Sequence, residues 1–146
     1  MRVTLGKPQH GWVDLTISDG PFAMTDSVAD TPIDFVAGTA VQLTNLLTTG
    51  RATDVPMHLE PGYYVFAFAR DGDDFRFRLL HETEAVKPVT PRLLHCVTGP
   101  FQAVIAPFVS ALERFYDTKF DAADWPACDA TVLQDLQVAV RQYLDR

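Results

Sequence analysis

The chain has 146 residues, 47% hydrophobic, 21% charged and 11% aromatic, which suits one domain with its own core and requires no disulfide or metal staple. Twelve Lys and Arg against 19 Asp and Glu give a net charge of −7. That balance argues against binding nucleic acid or anionic lipid, both of which are gripped chiefly by basic side chains.

Val3 and Leu5, then Val13, Leu15 and Ile17, alternate with polar neighbours, so each set projects to one face of a strand, with Gly6 to Gly11 as the turn between them. Asp19-Gly20 is a hairpin dipeptide, and Phe22 and Met24 resume the alternation as a third strand. No apolar run follows Arg2, so no secretory signal is expected at Met1 to Pro8.

Thr31-Pro32-Ile33-Asp34 reads as a helix start, with Thr31 as N-cap and Pro32 at the first helical position. Ile33, Val36, Ala40, Leu43 and Leu47 form one apolar stripe, and Gly50 ends the helix. No charge occurs from Phe35 to Gly50, so the opposite face, with Thr39, Gln42, Asn45 and Thr49, is expected to be covered. Cover by the chain itself is the simpler expectation, and a homodimer through this helix is compatible with the pattern.

Val55, Met57 and Leu59 alternate up to a Pro61-Gly62 turn, followed by Tyr64, Phe66 and Phe68, a turn at Asp71 to Asp74, then Phe75, Phe77 and Leu79. Three antiparallel strands fit, and a tight first turn sets Leu59 opposite Tyr64, Met57 opposite Phe66 and Val55 opposite Phe68. An aromatic face of that size must be roofed by helices. The other face carries His58 and Glu60, then Val65, Ala67 and Ala69, then Asp74, Arg76 and Arg78.

Glu82 to Pro91 reads as a loop and Leu93 to Val97 as a buried strand, broken by Gly99-Pro100. Phe101, Val104, Ile105, Phe108, Leu112 and Phe115 share a helical stripe bent at Pro107. The uncharged stretch Leu93 to Leu112 is too interrupted by His95, Gly99, Pro100, Gln102 and Pro107 to suggest a membrane span. An acidic connector, Asp117 to Asp129, precedes a last helix from about Thr131 that presents Leu133, Leu136, Val140 and Tyr143.

These elements predict an α+β fold in which an antiparallel sheet of about six or seven strands is packed on one face by about three helices. Two cysteines, Cys96 and Cys128, lack C-x-x-C spacing, so a cytoplasmic compartment is expected. Cys96 is expected as a buried structural residue, because neighbours on a strand point apart and His95 cannot share its proton.

No catalytic residue stands out: Ser18, Ser27 and Ser110 lie in no G-x-S-x-G elbow. The four histidines, His10, His58, His81 and His95, have no metal-ligand spacing, and no glycine-rich phosphate loop suggests a cofactor. Asp117 begins a calcium-like loop, but Lys119, Ala122 and Cys128 occupy ligand or glycine positions.

Two clusters remain. His58, Glu60, Arg76 and Arg78 would share a sheet face and suit an anionic ligand, with Arg as the fork-shaped donor. Tyr116, Asp117, Phe120, Asp121, Asp124 and Trp125 interleave aromatic anchors with carboxylates and suit a basic protein partner. In general plan, a small acidic α+β chain without a catalytic motif resembles bacterial immunity proteins that neutralise toxins. The likeness covers architecture and charge, carries over no residue, and implies a non-enzymatic protein-binding role. The alternative is a small-molecule binding protein or enzyme working from the His58, Glu60, Arg76 and Arg78 face.

Overall fold

A computed structural model describes residues 1–83 and 90–146. Strands β1 (Arg2–Leu5), β2 (Trp12–Asp19) and β3 (Phe22–Ala29) form one antiparallel sheet in that order. Strands β4 (Thr53–His58), β5 (Tyr63–Asp71), β6 (Asp74–Glu82) and β7 (Arg92–Gly99) form a second. Helices α1 (Phe35–Thr49), α2 (Phe101–Val104), α3 (Ala106–Asp117) and α4 (Ala130–Leu144) complete the α+β architecture. The expected single sheet is therefore two. Side-chain alternation tells which residues share a face, not which strands share a ladder, and β3 and β4 meet no common ladder across the intervening α1.

Helix α1 starts three residues later than its Thr31-Pro32 signal. Asp34 is the N-cap, its Oδ1 accepting from the Val36 and Ala37 N–H groups at 3.0 and 3.2 Å. Gly50 closes the helix in the left-handed region, its N–H bonded to the Leu46 carbonyl. Ile33 consequently lies outside the helix and 40% exposed, and the expected cover of the uncharged face is only partial: Thr39 is buried, its hydroxyl donating to the Phe35 carbonyl, whereas Asn45 and Thr49 are exposed. The single bent helix expected near residue 107 is two helices. Pro107, which has no N–H to donate, stands in the first turn of α3, with Ile105 between that helix and α2.

The central hairpin pairs Met57 with Tyr64, Val55 with Phe66 and Thr53 with Phe68, a slip of two residues from the tight-turn register. Residues 59–62 form a four-residue loop closed by a Leu59 N–H to Gly62 carbonyl bond of 2.9 Å. Because side chains repeat every two residues, this slip keeps Val55 and Met57 on the aromatic face but carries every outward residue one rung along. The Asp71 to Asp74 turn is tight, so Phe75, Phe77 and Leu79 share the face of Phe66 and Phe68.

That face is the core. Phe108 of α3 sits with its ring centroid 5.2, 5.0 and 4.8 Å from Phe66, Phe68 and Phe77. Val3, Val13, Leu15, Ile17 and Val28 of the first sheet belong to the same buried cluster. The two sheets meet through side chains: Phe22 stacks on His95 at 4.2 Å, and the Tyr64 hydroxyl donates to Asp26 Oδ2 at 2.9 Å. Strand β7 is an edge, not a buried strand, with Leu93 53% exposed and Cys96 exposed rather than buried beside Arg78. Of the loop expected over Glu82 to Pro91, residues 84–89 lie outside the described part. No described helix is long and apolar enough to cross a membrane.

Candidate functional site

Three chain segments converge where the first sheet meets the β4–β5 loop. Gly11 adopts φ +81, and a Cβ there would lie 3.0 Å from Asp30 Oδ1. The positive φ favours glycine there, and a side chain would also press on the Asp30 carboxylate. The Asp30 N–H donates to the Gly11 carbonyl at 2.8 Å, and the Gly11 N–H in turn donates to the Asp124 carbonyl at 2.8 Å. Across the gap, Gly62 takes φ +86, and a Cβ would meet the Glu82 carbonyl oxygen at 2.7 Å. The β4–β5 loop is thus held against the end of β6, and Leu59, Glu60 and Pro61 form a wall facing Trp12.

Between these walls runs a groove with two lobes. The larger, about 790 Å³, is lined by His10, Trp12, Asp30, His58 and Glu60 among others. The second, about 600 Å³, shares Trp12, Leu59, Glu60 and Pro61 and adds Asp26, Ser27, Tyr64 and His81. Burial, then the hydrogen bond to Asp26 and that residue's charge, pushes the Tyr64 hydroxyl up to about 12, so it stays protonated as a donor. Its ring lies 5.4 Å from that of His81. The lining residues include three carboxylates, three histidines and two large aromatic side chains. No Lys or Arg lines either lobe among the described residues.

Of the sheet-face cluster, His58 and Glu60 line this groove, whereas Arg76 and Arg78 do not. The register slip explains the separation. His58 pairs with Tyr63, which pairs with Glu82, and Arg78 lies four residues back along β6. At about 3.3 Å per residue and 4.8 Å per strand, His58 and Arg78 are roughly 16 Å apart, beyond a shared small ligand's reach. Arg76 pairs instead with Asp71.

The connector is also divided. Trp125 is fully buried, edge-on to Phe35 and Phe115 at 6.0 and 5.8 Å, so it fills the core instead of serving as a contact anchor. Phe120 packs half-buried on Phe115 at 5.3 Å. The Tyr116 hydroxyl is buried with no hydrogen-bond partner among the described residues, and that burial, reinforced by Cys128, Asp34 and Asp129, pushes it up to about 12. Asp117 and Asp121 remain exposed. Asp124 reaches the groove, its Oδ1 accepting from the His10 N–H at 3.0 Å.

The groove's Trp12, Asp26, Asp30, Tyr64 and His81 were not marked as site residues by the sequence. One signal was available: Asp26 occupies a slot in the inward series Phe22, Met24, Asp26, Val28, where a carboxylate needs a partner. No protein-family model, curated protein or solved structure matches the chain.

Proposed function

We propose that the protein is a non-enzymatic protein-binding module that takes a basic segment of its partner into this groove, a role of the immunity type. The observation that carries the reading is the lining itself: Asp26, Asp30 and Glu60 beside Trp12 and Tyr64, with no described Lys or Arg. A guanidinium matches such a site twice, pairing its donor fork with a carboxylate and stacking its plane on an indole or phenol ring. Asp124 at the rim and Asp121 on the same turn extend the negative surface and would speed encounter with a positively charged partner.

A short arginine-rich peptide titrated against the protein tests this, because Trp12 lines the groove while Trp125 lies in the core. Binding should change tryptophan fluorescence, Trp12→Phe should remove that change, and Asp30→Lys with Glu60→Lys should weaken binding at least tenfold. Equal affinity for an acidic peptide, or indifference to the charge reversal, would overturn the reading. The groove's volume also suits a small molecule. Thermal stabilisation by small cations without peptide affinity would favour that alternative.

A further inference from the structure

We propose that, granted its role as a site for a basic segment, the groove takes that segment in extended form and reads two cationic side chains four residues apart, one in each lobe. The lobes share Trp12 and Glu60 but divide the other two carboxylates: Asp30 lines only the larger and Asp26 only the second. Neither of them, nor Glu60, has a Lys or Arg partner among the described residues. Asp26 is also fixed in place, its Oδ2 accepting from the Tyr64 hydroxyl and its Oδ1 from the Ser27 N–H, each at 2.9 Å. Each carboxylate oxygen has two lone pairs, so a carboxylate held in this way can still accept from a cation.

The spacing of the two carboxylates follows from the strand that carries them. β3 is an outer strand of its sheet, and the groove runs beside it from Asp26 to Asp30. Its ladder with β2 pairs Asp26 with Leu15 and Ala29 with Trp12, and the bond from the Asp30 N–H to the Gly11 carbonyl extends that pairing by one residue. Four residues of extended backbone, at about 3.3 Å each, set the two positions about 13 Å apart. One guanidinium, whose donor fork fits a single carboxylate, cannot serve both.

A segment laid beside β3 in extended form has the same rise. Residues four apart along it come level with Asp26 and Asp30 and, at period two, point the same way. Residues three apart point to opposite faces, so only one of them can enter the groove. Glu60, common to both lobes, supports either cation.

Calorimetric titration with peptides of one length on a neutral background tests the proposal. A peptide with two arginines four apart should bind at least tenfold tighter than one of the same charge with its arginines three apart. Asp26→Asn and Asp30→Asn, which change little but charge, should each weaken the first peptide about tenfold, the range of one charged hydrogen bond. Replacing one arginine of that peptide by alanine should leave it sensitive to only one of the two variants, and replacing the other should reverse the assignment. Glu60→Gln should weaken both singly substituted peptides.

Circular dichroism confirms that the variants fold, and the spacing comparison on the wild-type chain decides the matter if one does not. Equal affinity for the two spacings, or singly substituted peptides that respond alike to Asp26→Asn and Asp30→Asn, would overturn the two-cation register while leaving a basic-segment site standing. Failure of every arginine peptide to bind would overturn both.

Discussion

Strands β4, β5 and β6 present two faces built from alternate residues of the same segments, and the two have opposite chemistry. Inward, Phe66, Phe68, Phe75 and Phe77 are at most 2% exposed; Phe66, Phe68 and Phe77 interlock with Phe108, and Phe75 packs on Phe101 and Tyr143. Outward, Val65 and Ala67 are small and lie buried beneath their neighbours, whereas Asp54, Arg76 and Arg78 are charged and exposed. Period-two alternation thus separates a packed aromatic layer from a charged surface within one sheet. The groove forms at the margin, where the inward residue Tyr64 extends its hydroxyl past the end of the core to Asp26.

The largest expected effect lies at the centre of the inner face. Phe108→Ala removes the ring that touches three strand phenylalanines and should cost about 3–5 kcal/mol in urea unfolding. A loss under about 1 kcal/mol would mean that the helices do not rest on this face. Next comes the loop that walls the groove. Gly62→Ala should cost about 2 kcal/mol or more, because it combines positive φ with a clash against the Glu82 backbone. It should also weaken peptide binding by displacing Glu60.

Alternation made the aromatic face legible because Tyr64, Phe66 and Phe68 repeat at a period only a strand can use. The division into two sheets left a fainter mark. Pro56 within β4 cannot donate to a ladder and belongs at a sheet edge, which is where β4 lies. The slip of the hairpin register was not readable, since Pro61-Gly62 is compatible with a tight turn or with the four-residue loop that forms. That slip separated His58 from Arg78, so part of the site was lost through loop geometry alone. Trp125 misled for another reason: surrounding aspartates report on the exposed backbone of the connector and not on the direction of one large ring within it.

Two helix caps extend the comparison of buried and exposed groups to pH. Burial raises the Asp34 carboxyl above its ordinary range, against the Ala37 and Val36 N–H groups and the Trp125 indole, which favours the carboxylate without reaching hydrogen-bond geometry. Asp129 is lowered, chiefly by its Thr131 side-chain and backbone hydrogen bonds. A carboxyl that holds its proton more tightly when folded adds stability below its unfolded value, near pH 4, and loses it as pH rises through the raised one. Asp129 acts in the opposite sense: its contribution is present above that unfolded value and is lost as pH falls. Asp34→Asn keeps an acceptor for the cap without the buried charge, so thermal melts should find it at least as stable as wild type at pH 7 and lacking that advantage in acid. Asp34→Ala, which removes the acceptor too, should cost about 1 kcal/mol.

The smallest effects give the sharpest test of the two faces, because they compare one residue type on adjacent strands. Arg70 lies on the inner face, its guanidinium 4.8 Å from the Phe75 ring centroid and 5.4 Å from that of Tyr143. Arg76 lies on the outer face and pairs with Asp71, both side chains more than 40% exposed. Water screens the second interaction and competes for both partners, so Arg76→Ala should change stability by no more than about 0.5 kcal/mol. The first is partly shielded, and its methylene stem adds packing, so Arg70→Ala should cost about 1 kcal/mol. Raising salt should shrink only the Arg76 effect appreciably, since screening acts on exposed charge pairs and barely on a cation packed against rings. Equal costs for the two, with equal salt dependence, would mean that both arginines sit in the same environment and that the division between the faces does not extend to the ends of the strands.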